Sequence, residues 1–175
     1  MRVFRIKYRA SLTDIVYHQA LGKVAGYAGV MEFQKRGLPH VHLAIICGGG
    51  DRVVDTTQVD LAISAELPDP VKKPRLFSIV TKWQIHSPCD RPLPSGVPKH
   101  CYRPVPGRPG ELKCRFKFPQ EIRDSTVIPE RGPRILYRRR DSDIHFIAGG
   151  RMIDNRWVSP YNAVLYVYNT TSLYV

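Results

Sequence analysis

Between residues 86 and 133 the chain carries Pro88, Pro92, Pro94, Pro98, Pro104, Pro106 and Pro109 and shows no sustained apolar period. No other feature constrains the fold as much. Proline lacks a backbone N–H and fixes φ, so repeated prolines interrupt helices and strand ladders alike. The segment is therefore expected to be a loop-rich insertion without regular ladders, and such a stretch needs a staple besides a hydrophobic core. His86, Cys89, Cys101 and Cys114 offer one imidazole and three thiols, the number and softness that tetrahedral zinc takes. His86-x-x-Cys89 has a usual ligand spacing, the later gaps are long, and His100 beside Cys101 could substitute for His86. An ion held there would supply folding energy rather than reaction chemistry. Cys47, alone behind an apolar run, reads as a buried core thiol.

Elsewhere the periodicities are clearer. Phe4, Tyr8, Leu12, Ile15, Val16 and Ala20 recur at spacings of three and four, which predicts a helix over about 3–21 that Gly22 stops. Residues 24–34 and 41–47 read as strands joined by a turn at 35–39. Val59, Ile63 and Leu67 repeat at i+4 and predict a second helix ending at Pro68, with a third over about 75–85. Strand-like segments return at 135–138 and 144–148, and 164–167 is a strand or a helix start. A length of 175 residues suits one hydrophobic core, so residues 1–175 are expected to be a single domain with 86–133 inserted in it.

Lys and Arg number 27 against 15 Asp and Glu, a net charge of +12, and an excess of this size attracts polyanions. The apolar run at 43–47 is far shorter than the roughly 20 residues that span a bilayer. Arg2, Arg5, Lys7 and Arg9 break up the N-terminal apolar residues, which excludes a secretory signal. A nuclear or other intracellular location follows as the expectation, with reduced cysteines that suit metal better than disulfides. Arg134, Arg138, Arg139 and Arg140 flank Tyr137, a pattern that suits a single strand with guanidinium groups on phosphates and a ring on a base. The same run could equally be solvated surface charge. Lys35 and Arg36, in the expected hairpin turn, are further candidates for phosphate contact.

His40-Val41-His42 opens the second strand. Alternate residues of a strand share a face, so the two imidazoles project to one side about 7 Å apart along the chain and could share a divalent ion. The competing reading has one ring bonded within the core and the other in water.

The string from Glu32 through Gln34, Lys35, Arg36, Gly37, Leu38 and Pro39 to His40-Val41-His42 resembles the histidine-hydrophobe-histidine motif of Helitron replication-initiator (HUH) endonucleases. The likeness continues through Ile63 to Asp69, Ile85-His86-x-Pro88-Cys89, Cys114-x-x-x-Phe118-Pro119, Tyr137 to Arg140, Asp154 to Val158 and Pro160-Tyr161-Asn162. The resemblance implies an α+β fold: an antiparallel central sheet carrying the histidines, flanked by helices, with the Pro-rich Cys/His insertion. It also implies metal-dependent nicking and joining of single-stranded DNA at transposon ends, with a helicase domain in cis in full-length relatives. In such a site the two histidines and a third polar ligand hold Mg²⁺ or Mn²⁺ against the scissile phosphate, and a tyrosine attacks phosphorus. Glu32 and Gln34 compete as the third ligand, since both share strand parity and lie across the hairpin from His40, with Gln34 slightly preferred.

The family's paired tyrosines lie in a Tyr-x-x-x-Tyr helix downstream of Pro-Tyr-Asn, and the sequence reaches Val175 before such a motif. Tyr166, Tyr168 and Tyr174 are the tyrosines near that end, and Tyr174 is carried forward as the candidate nucleophile. A strand that precedes the first helix in the family is also not found, so the sequence is expected to be an internal piece of the endonuclease domain. Two other readings compete. One is a noncatalytic, zinc-stabilised nucleic-acid-binding module or transposon relic in which His40 and His42 do no chemistry. The other, a hydrolase using activated water, needs more carboxylates near the histidines than Glu32 and Asp51 or Asp55 supply.

Overall fold

The computed structural model describes residues 2–33, 37, 39–51, 55–89, 100–130 and 134–171. The protein is of the α+β class. It divides into two compact units, one formed by Met1–Ala62 with Asn162–Val175 and the other by Ile63–Tyr161. In place of a central sheet, the described strands form three two-stranded antiparallel sheets.

The first unit begins with α1 (Arg2–Val16). The expected apolar stripe is there, with Ile15 buried and Phe4, Tyr8 and Leu12 half-buried. The helix ends five residues earlier than its periodicity predicts. His18 N–H donates to the Thr13 carbonyl and Ala20 N–H to that of Asp14, widening the last turn, while Gln19 takes φ 54° and unwinds the chain before Gly22. Strands β1 (Val24–Phe33) and β2 (Pro39–Cys47) pair in an antiparallel hairpin with Gly29 opposite Leu43, Val30 opposite His42 and Glu32 opposite His40. A Cβ on Gly29 would lie 3.1 Å from the Tyr8 hydroxyl and 3.4 Å from Leu43, so glycine at this position lets α1 approach the Leu43 face closely. That face is half-buried; the alternate positions of β2, His40 and His42 among them, are exposed.

Helix α2 (Thr56–Ala62) and helix α4 (Ala163–Thr171) complete this unit. Asn162 caps α4 by accepting from Leu165 N–H at 2.9 Å, which settles the open reading of 164–167 as helix. Cys47 is half-buried rather than buried, at the end of β2, with its thiol 3.9 Å from the Leu21 carbonyl.

The helix predicted from Val59, Ile63 and Leu67 forms as α2 but stops at Ala62, short of Pro68. In the second unit, residues 63–67 are not helical: Ser64 pairs with Tyr161, and Leu67 N–H donates to Asn155 Oδ1 at 2.7 Å. Tertiary partners override the helical period here. Helix α3 (Pro74–Trp83) buries Leu76 and Val80, and Phe77 meets Phe146 edge to face at 6.2 Å. Pro at the first helical position and Lys82 in the last turn suit its termini. Strands β3 (Tyr102–Val105) and β4 (Arg108–Cys114) form a hairpin inside the stretch expected to lack ladders. Both strands of a lone hairpin are edges, so Pro104 and Pro109 can point their missing donors at solvent. Pro106 and Gly107, with φ 74° at the glycine, make the turn.

Strands β5 (Phe146–Ala148) and β6 (Arg151–Ile153) form the third sheet. Residues 135–138 contribute one isolated bridge, Val127 with Leu136, followed by that of Arg123 with Arg139, rather than a strand. Trp157 and Tyr161 are buried, Tyr161 donating to the Glu66 carbonyl at 3.0 Å, so both are core aromatics.

Glu66 ties the second unit together. Its carboxylate accepts from Arg140 N–H and Nε, both at 2.9 Å, and from Arg140 Nη2 at 2.7 Å, with Arg138 Nε 3.8 Å away. Burial raises the pKa of this carboxyl, but the Arg140 bonds and charge outweigh burial and leave it below the ordinary 4.5. Between the lowered folded value and the ordinary one, the unfolded chain binds more protons than the native state. The contribution of Glu66 to stability is thus complete above pH 4.5 and is lost as pH falls through the folded value. Thermal melts below pH 4.5 should show falling stability, and Glu66→Gln should be less stable at neutral pH and flatten the acid limb. Wild-type and variant melts of identical acid slope would contradict this assignment.

Candidate metal centre

Four segments of the second unit converge on one small volume. His86 and Cys89 follow the bridge of Ile85 with Val158, and His86 N–H donates to the Trp157 carbonyl at 2.8 Å. The β3–β4 hairpin closes the long gap that follows. It pairs Tyr102 with Cys114, and Arg115 N–H donates to the Cys101 carbonyl at 2.8 Å, so Cys101 and Cys114 stand side by side. The ligand atoms of His86, Cys89, Cys101 and Cys114 all lie within 4.8 Å of one another. Cys114 Sγ is 3.6 Å from His86 Nε2. Tetrahedral coordination with Zn–S near 2.3 Å and Zn–N near 2.0–2.1 Å puts neighbouring sulfur and nitrogen about 3.6 Å apart. The donor set and its geometry thus fit a bound metal ion, and His100, whose carbonyl accepts from Arg103, is not in the group.

The surroundings are dry and aromatic. Cys89 is 1% exposed, and the three sulfurs share a cluster with Ile153 and Trp157, flanked by Ile85, Tyr102, Phe118 and Phe146. Phe118 stacks on the His86 ring with centroids 4.2 Å apart, and Phe116 meets it edge-on at 5.8 Å. Burial, reinforced by hydrogen bonds to Cys101 and Cys114, pushes the Cys89 thiol up to about 12. Burial also raises Cys114, but bonds from the Phe118 and Phe116 backbone outweigh it and hold that thiol below its ordinary value. One sulfur of the trio is therefore prepared to ionise first, and a cation would draw protons from the others.

A second constellation occupies the exposed face of β1 and β2. The His40 and His42 rings meet at 72° with centroids 4.6 Å apart, and the Glu32 carboxylate is 3.7 Å from His42 Nε2. The His42 and Glu32 side chains are 65% and 60% exposed, so this group is open where the cysteine cluster is closed. Gln34, Lys35 and Arg36 lie outside the described residues, as does Tyr174.

Residues 1–45 match the family described as the Helitron helicase-like domain at N-terminus. This Helitron-like segment contains α1, β1 and most of β2, and with them Glu32, His40 and His42. No curated protein matches the chain.

The basic run sorts differently from its sequence pattern. Arg139 is 4% exposed; its Nη1 donates to the carbonyls of Asn155 at 2.7 Å, Val158 at 2.6 Å and Ala65 at 3.2 Å. Burial lowers its pKa to about 10, which still leaves it charged at neutral pH. Arg139 is thus buried on three core carbonyls, in contrast to the surface position that its place in a basic run suggests. Arg138 and Arg140 face Glu66, while Arg134 is exposed and Tyr137 half-buried. Sequence reading missed Glu66 and Asn155 as organisers: Asn155 Nδ2 donates to the Arg140 carbonyl at 2.8 Å while its Oδ1 accepts from Leu67. No local motif marks either one.

Proposed function

We propose that this chain holds the divalent ion and the scissile phosphate of a Helitron-type single-stranded-DNA nicking and joining site. His40, His42 and a third ligand, Glu32 or Gln34, would hold Mg²⁺ or Mn²⁺, and zinc would occupy the closed His86, Cys89, Cys101 and Cys114 site. The observation that carries the reading is the Glu32 carboxylate beside His42 on the open face of the hairpin, inside the Helitron-like segment. Two imidazoles and one oxygen leave coordination positions for phosphate and water, whereas three thiolates and an imidazole close a zinc shell.

A hard ion bound at the open group would neutralise charge on a phosphoryl oxygen and fix the target phosphate. His40 and His42, as neutral ligands, would orient it without adding negative charge, and a Glu32 carboxylate would hold His42 in place. By the family resemblance, a tyrosinate oxygen then attacks phosphorus, the bond to the 3′ oxygen breaks, and the 5′ phosphate stays on the tyrosine for later joining. Transposon ends would be the substrate, a helicase domain the partner in cis, and the nucleus or another intracellular compartment the site of action.

The test is the affinity of the zinc-loaded chain for single-stranded DNA with and without Mn²⁺ at matched ionic strength. Mn²⁺ should raise the affinity about tenfold, equivalent to about 1.4 kcal/mol. His40→Ala with His42→Ala should abolish that increment and keep the Mn²⁺-free affinity. Wild-type binding that is indifferent to Mn²⁺ would instead identify a noncatalytic, zinc-stabilised nucleic-acid-binding module.

A further inference from the structure

The second unit has a cleft of about 420 Å³ beside the cysteine cluster, between the loop that follows β4 and the segment around Tyr137. Its size lies within the range of sites that bind small aromatic groups. Phe116, Phe118, Leu136 and Tyr137 line it, and Arg123 and Arg134 stand with them. We propose that this cleft seats one unstacked base of a DNA single strand against Phe116 and Tyr137, with the flanking phosphates on Arg123 and Arg134. The proposal deepens the reading above, since it rests on a single-stranded partner, but it needs no ion at His40 and His42.

Three observations carry it. The first is the pairing of walls and cations. Sequence-tolerant single-strand sites combine aromatic faces for bases with a basic track for the backbone, and this cleft has both within one unit. Arg115 adds a further cation, its guanidinium 4.4 Å from the Phe116 ring.

The second is that the floor is fixed before any ligand arrives. Phe118 is stacked on His86 at 4.2 Å and is nearly parallel to Trp157 at 6.5 Å, while the Arg139 guanidinium lies 6.0 Å from the same ring. A floor held in this way does not have to become ordered when a base enters the cleft against Phe116 and Tyr137.

The third is the fate of the neighbouring charges. Arg134 and Arg139 of the basic run both line the cleft, but Arg139 is buried and bonded to core carbonyls and Arg140 is held by Glu66, so Arg134 is the exposed cation that the run presents there. Arg123 pairs with Glu121 at 3.0 Å, but Glu121 is 86% exposed. An ion pair of that kind is weak, and a phosphate can replace it. The mixed lining of aromatic rings and arginines suits a ligand with both a flat apolar face and a negative charge, as a nucleotide has.

The experiment measures binding of the full zinc-loaded chain, without Mg²⁺ or Mn²⁺, to a labelled oligo-dT of about twelve nucleotides and to an abasic strand of equal length, a span within single-fold site sizes. Wild type should prefer the strand with bases about tenfold. Phe116→Ala should erase that preference and leave the abasic affinity unchanged, while Phe116→Trp should keep it. Arg134→Ala should weaken binding of both strands alike and reduce the salt slope by about one. These measurements are made without the divalent ion that the ion reading requires, so failure here and failure of the ion reading are separable. Equal affinity of wild type for the two strands would overturn the proposal, as would a Phe116→Ala variant, folded by its wild-type melt, that retains the preference. Tighter binding of oligo-rU than of oligo-dT would overturn the assignment to DNA.

Discussion

Chelation of the purified chain with 1,10-phenanthroline is expected to unfold the second unit, and Cys114→Ser is expected to leave it unfolded from the outset. The buried side chains around the centre are few, and three of them are the cysteines themselves. Structural zinc in small domains contributes apparent binding energies of about 10–16 kcal/mol, whereas a whole domain is stable by only about 5–15 kcal/mol. Losing the ion thus removes more than the unit can spare. Phe118, stacked on His86, and the β3–β4 hairpin, closed between Cys101 and Cys114, should lose order together. Near-ultraviolet circular dichroism of the aromatic cluster reads this directly. The signal should vanish on chelation and return on adding zinc, and an unchanged signal in Cys114→Ser would show that the cluster folds without a metal.

Arg139→Ala should destabilise the second unit by roughly 3–5 kcal/mol, the usual cost of breaking a buried charged network. Without the guanidinium, the carbonyls of Ala65, Asn155 and Val158 lose their shared donor, and each unsatisfied buried group costs about 1–3 kcal/mol. Arg139→Lys should recover part of the loss at most, because an ammonium on a flexible stem does not reproduce the planar fork. Urea or thermal unfolding measures the effect. A melt within about 0.5 kcal/mol of wild type, the range of ordinary surface substitutions, combined with weaker DNA binding, would return Arg139 to the surface role its sequence suggests.

That contrast shows what the sequence makes legible. Helix α1 follows from its local period and the β1–β2 hairpin from two apolar runs on either side of a turn. The four ligands of the cysteine cluster are legible by residue type, since few other roles call for three thiols and an imidazole in a Pro-rich stretch. What brings them together is less visible. The Pro106-Gly107 turn that folds β3 onto β4 is a local signal, obscured by the neighbouring prolines, although those prolines are tolerated on edge strands.

Residues 63–67 and Arg139 are illegible for a different reason. An i+4 apolar repeat also arises in a non-helical segment buried by distant partners, here Tyr161 and Asn155. A buried arginine and a DNA-binding arginine look identical in a basic run until the carbonyls around one of them are known. The open group has the opposite character. His40, His42 and Glu32 are near in sequence, share a face by strand parity, and need only one hairpin to meet.

The central claim is that this open group takes a hard divalent ion while the cysteine cluster keeps a soft one. The most direct measurement is a Mn²⁺ titration of the zinc-loaded chain followed by electron paramagnetic resonance, with His40→Ala plus His42→Ala as the comparison. The account predicts that wild type takes up one equivalent of Mn²⁺ without releasing zinc and that the double variant takes up none. Equal uptake by both proteins, or displacement of zinc by Mn²⁺, would contradict it.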